Sequence, residues 1–222
     1  MQSPASNKPR LRARERRSAV RDFFSTVIHR WPEGRRDYHW HLLASPEWAE
    51  ETLFEPYREL THRPGLAPVR PENFHVTVLH GPPVEEMSER EITDMVDEVR
   101  AGCAWIAPLE LTLSRATVGS VAIECAGQPG AASRPLWELT VAATTKATGG
   151  RYEALPAAHY PHASLAYGVG DVERLPMTVW LSDHGPGPVT VRVDQISLVS
   201  QWHDRREIMF ERILDVPLGG SR

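Results

Sequence analysis

Two octapeptides in this chain share one pattern: FHVTVLHG (74–81) and PHASLAYG (161–168) each read histidine, apolar, hydroxyl, apolar, and they stand 87 residues apart. In a β-strand the side chains of residues i and i+2 project from the same face. His75 with Thr77, and His162 with Ser164, would then each present an imidazole and a hydroxyl together, over a back of Val76, Val78, Ala163 and Leu165. Brought face to face, two such strands offer two groups that exchange protons near neutral pH and two that hydrogen-bond the non-bridging oxygens of a phosphate. Transfer at phosphorus asks for that set, because one proton must leave the attacking oxygen while another reaches the leaving oxygen on the opposite side. The hydroxyls would hold the charge that builds on the phosphoryl oxygens. With 10 histidines in 222 residues, chance supplies about 0.2 matches to the four-residue pattern, against the two present.

The surrounding sequence must build strands that carry these residues. Val20, Phe23, Phe24, Val27, Ile28 and Trp31 recur at helical spacing and predict an amphipathic helix that ends before Pro32 and packs on the body. Tyr38 to Ala44 reads as a strand, and Ser45 with Pro46 as the cap and first turn of a helix bearing Trp48, Leu53 and Leu60. A proline-rich connection, HRPGLAPVRPEN, leads to a strand from Phe74 to Leu79 and a helix from Ser88 to Val99. Strands follow at Leu109 to Ala116 and Val121 to Cys125, then a helix from Leu136 to about Ala147 that Gly149 and Gly150 stop. The last third gives strands at Ala163 to Tyr167, Val189 to Ser200 and Glu207 to Val216, with 171–184 ambiguous. Strands and helices mix without strict alternation, so the fold class is α+β.

Composition narrows the setting. A hydrophobic fraction of 41% and a charged fraction of 24% are ordinary for a globular protein, and no apolar run is long enough to span a bilayer. No secretory h-region follows the N-terminus, and Cys103 and Cys125 form neither a disulfide framework nor a CxxC zinc motif, so a cytoplasmic protein is expected. The net charge of −4 argues against wholesale nucleic-acid binding. Residues 1–36 nonetheless hold ten Lys and Arg against Glu15, Asp22 and Glu33, and form a basic arm that is either a solvated tail or a contact to an RNA backbone. His39 and His41 share a strand face, and His159 lies three residues before His162, so a metal site is one competing arrangement, although no HExxH-type signature occurs. The expectation is no metal and no cofactor, with His41 lining the cleft.

Paired His-apolar-hydroxyl-apolar motifs at this separation resemble the 2H phosphoesterase superfamily, which includes the 2′-5′ RNA ligase-like proteins. The opening YHWHLLASP, the extended second motif PHASLAYG, the ISLVSQ strand and the closing DVPLG are similar to bacterial members, and the resemblance covers roughly residues 37–217. It implies a two-lobed α+β body with pseudo-twofold related β-sheets flanked by helices, and a central cleft to which each lobe donates one motif strand. It also implies catalytic His75 and His162 and phosphate-binding Thr77 and Ser164. The activities implied are metal-independent attack on RNA-type phosphodiesters, namely 2′,3′-cyclic phosphates or 2′-5′ linkages, with hydrolysis and ligation both open. RNA ends or small cyclic nucleotides would be the partners of a body expected to be a monomer with no membrane role. Tyr167, Trp40 and Trp202 are candidates to stack a base, with packing in the core the favoured reading for each of these aromatics. The alternative is a cleft that binds RNA ends or a cyclic nucleotide without turnover. Residues 1–36, as arm and helix, and 218–222, as a tail, fall outside the resemblance.

Overall fold

The structure is a computed structural model that describes residues 18–128, 130–152 and 159–220. The chain starts with a two-residue strand β1 (Ala19–Val20) and a short helix α1 (Phe23–Val27). The helix is shorter than the apolar spacing predicts because the Asp22 carboxylate accepts the N–H groups of Phe24 and Ser25 and so fixes its start. Val20 consequently lies in a strand, not in the helix.

Strand β2 (Asp37–Leu42) is followed by α2 (Pro46–Ala49), whose N-terminal Trp48 N–H is accepted by the Ser45 side chain, and by tighter and wider helical turns that lead into α3 (Arg58–Thr61). The proline-rich connection contains a three-residue strand, β3 (Leu66–Pro68), before β4 (Val76–Pro83). Helix α4 (Glu89–Cys103) opens with a reciprocal cap between Ser88 and Glu91. Then come β5 (Leu109–Leu113), β6 (Thr117–Val118), β7 (Ala122–Gln128) and α5 (Gly130–Ala147). The last third holds β8 (His162–Gly168), β9 (Val172–Glu173), α6 (Arg174–His184), β10 (Val189–Val193), β11 (Gln195–His203) and β12 (Ile208–Pro217).

Two antiparallel sheets dominate the fold, ordered β12-β11-β2-β4 and β10-β5-β7-β8-β3. The fold is thus α+β with two lobes, each built on one sheet. The motif strands β4 and β8 come from different sheets and approach one another. The stretch expected as one strand from Val189 to Ser200 divides at Asp194, and its halves join different sheets. Helices α4 and α5 pack together, with α5 against β4, β5 and β7. Trp40, Leu42, Val76, Val78, Leu111, Ile123, Leu165 and Leu198 are almost fully buried among the core, each such side chain contributing on the order of 1.5–3 kcal/mol.

Residues 18–36 are part of this body. β1 pairs with β9, Phe23 and Phe24 pack on Tyr167, and Phe24 and Trp31 pack on His203. Leu218 is buried, and its N–H is accepted by the Asp194 carbonyl. No helix among the described residues is long and apolar enough to cross a membrane.

Candidate active site

On both motif strands the residues alternate as the pattern predicts. His75, Thr77, His162 and Ser164 keep accessible surface, while Val76, Val78, Ala163 and Leu165 are buried. The two histidines are held in the same way. Nδ1 of His75 lies 2.8 Å from the Asn73 carbonyl, and Nδ1 of His162 lies 3.0 Å from the Tyr160 carbonyl. A carbonyl can only accept, so in each ring Nδ1 carries the proton in this contact, and Nε2 is the nitrogen left without a backbone partner. In both cases the carbonyl belongs to the residue two places earlier, and the rings are oriented by local backbone just before or at the strand start.

His75 is backed by a second imidazole. His41 is fully buried and stacks on it with centroids 4.5 Å apart, and the Phe210 ring meets His75 edge-on at 5.7 Å. Burial pushes the His75 pKa down to about 4; the Asn73 carbonyl opposes the shift and His162 adds to it. The ring edge that remains open to the cleft lets water temper this, but the direction is toward a neutral imidazole. His39 and His41 are driven further toward neutrality, first by burial and then by neighbouring imidazoles.

A second shared feature follows the histidines. In the pairing of β2 with β4, Trp40 stands opposite Leu79 and His41 opposite Thr77, so Val78 is an extra residue. In the pairing of β7 with β8, Ile123 stands opposite Ala166 and Glu124 opposite Ser164, so Leu165 is the extra one. These bulges sit 87 positions apart, like the histidines. Each inserts one residue into a two-residue period and turns the residue three beyond the hydroxyl back onto the hydroxyl's face. Those residues are His80 and Tyr167. His80 packs edge-on against His39 at 4.6 Å; its ring is crowded by protein on one side and exposed on the other, and the partial loss of water lowers its pKa, helped by His162 and His75.

The other residues singled out from sequence fall in varied places. Tyr167 is 2% exposed, covered by Phe23 and Phe24, with its hydroxyl reaching the Ser164 side chain. Trp40 is buried in the core, and Trp202 carries the Arg36 guanidinium over its ring at 3.9 Å. His41 lies behind His75 and has no surface of its own. His159 is hydrogen-bonded to Ser133 at 2.7 Å and stacks on Trp137, away from the His162 ring, which stacks on Tyr160. Among the described residues no group of three or more His, Cys, Asp or Glu is arranged to hold a metal ion. Three aromatic neighbours of the histidine pair were not singled out from sequence: His80, Phe210 and the half-exposed Tyr160. Only His80 had a signal, its place opposite Tyr167 in the octapeptide echo.

No protein-family model matches the chain, and no curated protein matches it. Solved structures do. TT0787 of Thermus thermophilus aligns with a TM-score of 0.64 at 19% identity, over 84% of this chain and 100% of its own. LigT of E. coli complexed with 3′-AMP aligns with a TM-score of 0.61 at 17% identity, over 83% of this chain and 98% of its own. A structure described as a phosphoesterase aligns with a TM-score of 0.62 at 16% identity, over 83% and 99%. At these identities the fold is what is shared, and the two-lobed α+β architecture of this chain is the architecture of those proteins.

Proposed function

We propose that the protein is a metal-independent phosphoesterase of the 2H type, acting on an RNA-type phosphodiester, with His75 and His162 as the acid and base pair. The observation that carries this reading is the duplicated holding of the two imidazoles, each with Nδ1 fixed by the carbonyl two residues back and Nε2 free. LigT of E. coli, which shares the fold, has been solved with 3′-AMP and with phosphate. That agrees with a phosphate-centred cleft here.

Burial holds His75 neutral, which suits it to the base role in hydrolysis of a 2′,3′-cyclic phosphate. Nε2 of His75 takes a proton from water as the water oxygen bonds to phosphorus, and the bond from phosphorus to one ribose oxygen breaks. Protonated His162 gives its Nε2 proton to that departing oxygen. Thr77 and Ser164 hydrogen-bond the non-bridging oxygens while charge accumulates on them. Ligation through a 2′-5′ linkage uses the same groups with the roles exchanged.

The test is turnover of nucleoside 2′,3′-cyclic phosphates in EDTA by wild type, His75→Ala and His162→Ala. Each substitution is expected to lower kcat/KM by about 10²–10⁴. On the acid side, the rate should fall as pH drops through about 4, where His75 takes up a proton and ceases to be a base. Activity lost in EDTA and restored by zinc would overturn the mechanism. Unchanged binding of substrate with no turnover in wild type would make the cleft a binding site.

A further inference from the structure

The 87-residue echo exposes a difference at the outer side of the motif strands. In the second lobe, β3 pairs with β8 at Ala166, Tyr167 and Gly168. The corresponding residues of β4 are Leu79, His80 and Gly81. No strand among the described residues pairs with that side of β4, which is the edge of its sheet. A pocket occupies the position instead. It holds about 570 Å³ including its open mouth, and its lining includes Arg35, His80, Pro83, Glu86, Val141 and Tyr152.

The chemistry of this pocket selects its occupant. An unpaired strand edge ordinarily invites an extended peptide, but Pro82 and Pro83 have no N–H to offer one. A second phosphate is disfavoured as well. The Arg35 Nε is committed to Asp37 at 2.8 Å, and the Glu86 carboxylate, bound by the Tyr152 hydroxyl, stands in the same wall. What remains is a slot with the apolar side chains of Leu79, Pro82, Pro83 and Val141, a phenol ring, and polar groups at its margin. Such a slot suits a flat, uncharged heterocycle that stacks and hydrogen-bonds at its edge. His80 belongs both to this pocket and to the group around the motif histidines, and its ring nitrogens have no hydrogen-bond partner among the described residues. His80 thus lies in the pocket wall and on the strand that carries Thr77 and that His75 immediately precedes.

We propose that the pocket at the open edge of β4 is a nucleoside subsite, which takes the base of the nucleotide whose phosphate lies at the histidine pair, with His80 as a hydrogen-bond contact to its sugar. The proposal rests on the phosphoesterase reading of the cleft. Neutral at physiological pH, His80 both donates and accepts one hydrogen bond, as a ribose hydroxyl requires. Tyr152 gives the base a face to stack on.

Calorimetric binding of cytidine 3′-phosphate and of base-free ribose 3-phosphate tests this without requiring turnover. Wild type should bind the nucleotide at least tenfold more tightly. That preference should fall about tenfold in Thr145→Trp, which fills the pocket from an exposed helix position and so leaves the core intact, stacking on an aromatic ring being worth about 1–3 kcal/mol per base. His80→Phe, which removes a contact to the sugar that both compounds carry, should weaken both by a similar factor and leave the preference in place. Equal affinity of wild type for the two compounds overturns the proposal, as does an equal loss for both compounds in Thr145→Trp or unchanged binding of both in His80→Phe. Turnover by His75→Ala and His162→Ala in the same preparation separates the two readings. Inactive histidine variants with an unchanged base preference in Thr145→Trp would remove the subsite and leave the phosphoesterase.

Discussion

The two motif strands are built alike and covered differently. Histidine, hydroxyl, bulge, returning side chain and glycine recur at one offset in β4 and β8. In the second lobe the returning Tyr167 lies beneath Phe23 and Phe24, and the strand edge is closed by β3. In the first lobe the returning His80 is exposed, and no strand among the described residues closes the edge. Under the proposed function, the difference would separate two requirements of one site. Proton transfer would use the symmetric part, because both sides of the phosphorus must be served, and substrate selection would come from the asymmetric part, where the first lobe leaves room beside its histidine among the described residues.

The covering segment should matter most to stability. Phe24 is fully buried, and its ring touches Tyr167 in one lobe and His203 in the other, so it ties the arm to both sheets at once. Phe24→Ala is expected to cost about 3–5 kcal/mol in unfolding free energy, measured by urea denaturation. A cost below about 1 kcal/mol would mean that Tyr167 stays covered without the arm, and the contrast between the lobes would lose its cause.

The two glycines that end the motifs sharpen the comparison. An added Cβ at Gly81 would collide with the Tyr38 carbonyl oxygen, and one at Gly168 with the Arg21 carbonyl oxygen. Neither collision involves a flexible side-chain end, so a backbone must move. Tyr38 lies inside β2, paired on both sides, whereas Arg21 lies in the arm between β1 and α1. Both Gly→Ala substitutions should destabilise by about 1–3 kcal/mol, Gly81→Ala more than Gly168→Ala because a central strand yields less than a terminal segment. The reverse order in thermal unfolding would show the arm to be held as rigidly as the sheet.

Much of this was legible in the sequence, and the illegible part has a common origin. The pairs His75/Thr77 and His162/Ser164 could be read because a strand has a period of two, and Ser45 could be read as a cap because its side chain satisfies an orphan N–H group. His80 could not be placed from that period, since the bulge at Val78 reverses the face and arises from pairing with β2, far away in sequence. Strand β3 was hidden in a proline-rich connection: its three residues are a strand only because β8 is beside them. The split of the Val189–Ser200 run at Asp194 is likewise decided by which sheet each half reaches. Apolar spacing alone overextends the arm helix, because the Asp22 cap competes locally with it. Local hydrogen bonding and periodicity were visible, and partner-dependent pairing was not.

Acid titration gives the effect most specific to one lobe. His39 and His41 are buried in β2, next to the first motif strand, whereas the corresponding neighbour β7, AIECAGQ, has no histidine. Burial holds both rings neutral in the folded protein. In the unfolded chain each binds a proton below about pH 6.5, so below that value the unfolded state holds more protons than the native one. Stability should therefore be insensitive to these two rings above about pH 6.5 and decline as pH falls beneath it, by about 1.4 kcal/mol per pH unit for each ring. Urea unfolding at pH 7, 6 and 5 measures the slope. His39→Leu should flatten it by one histidine's share, because Nδ1 of His39 has no partner to lose and an apolar side chain has nothing to protonate. A slope unaltered by that substitution would mean that His39 is already charged in the folded state, and the imidazoles packed behind the first motif strand would then share a proton.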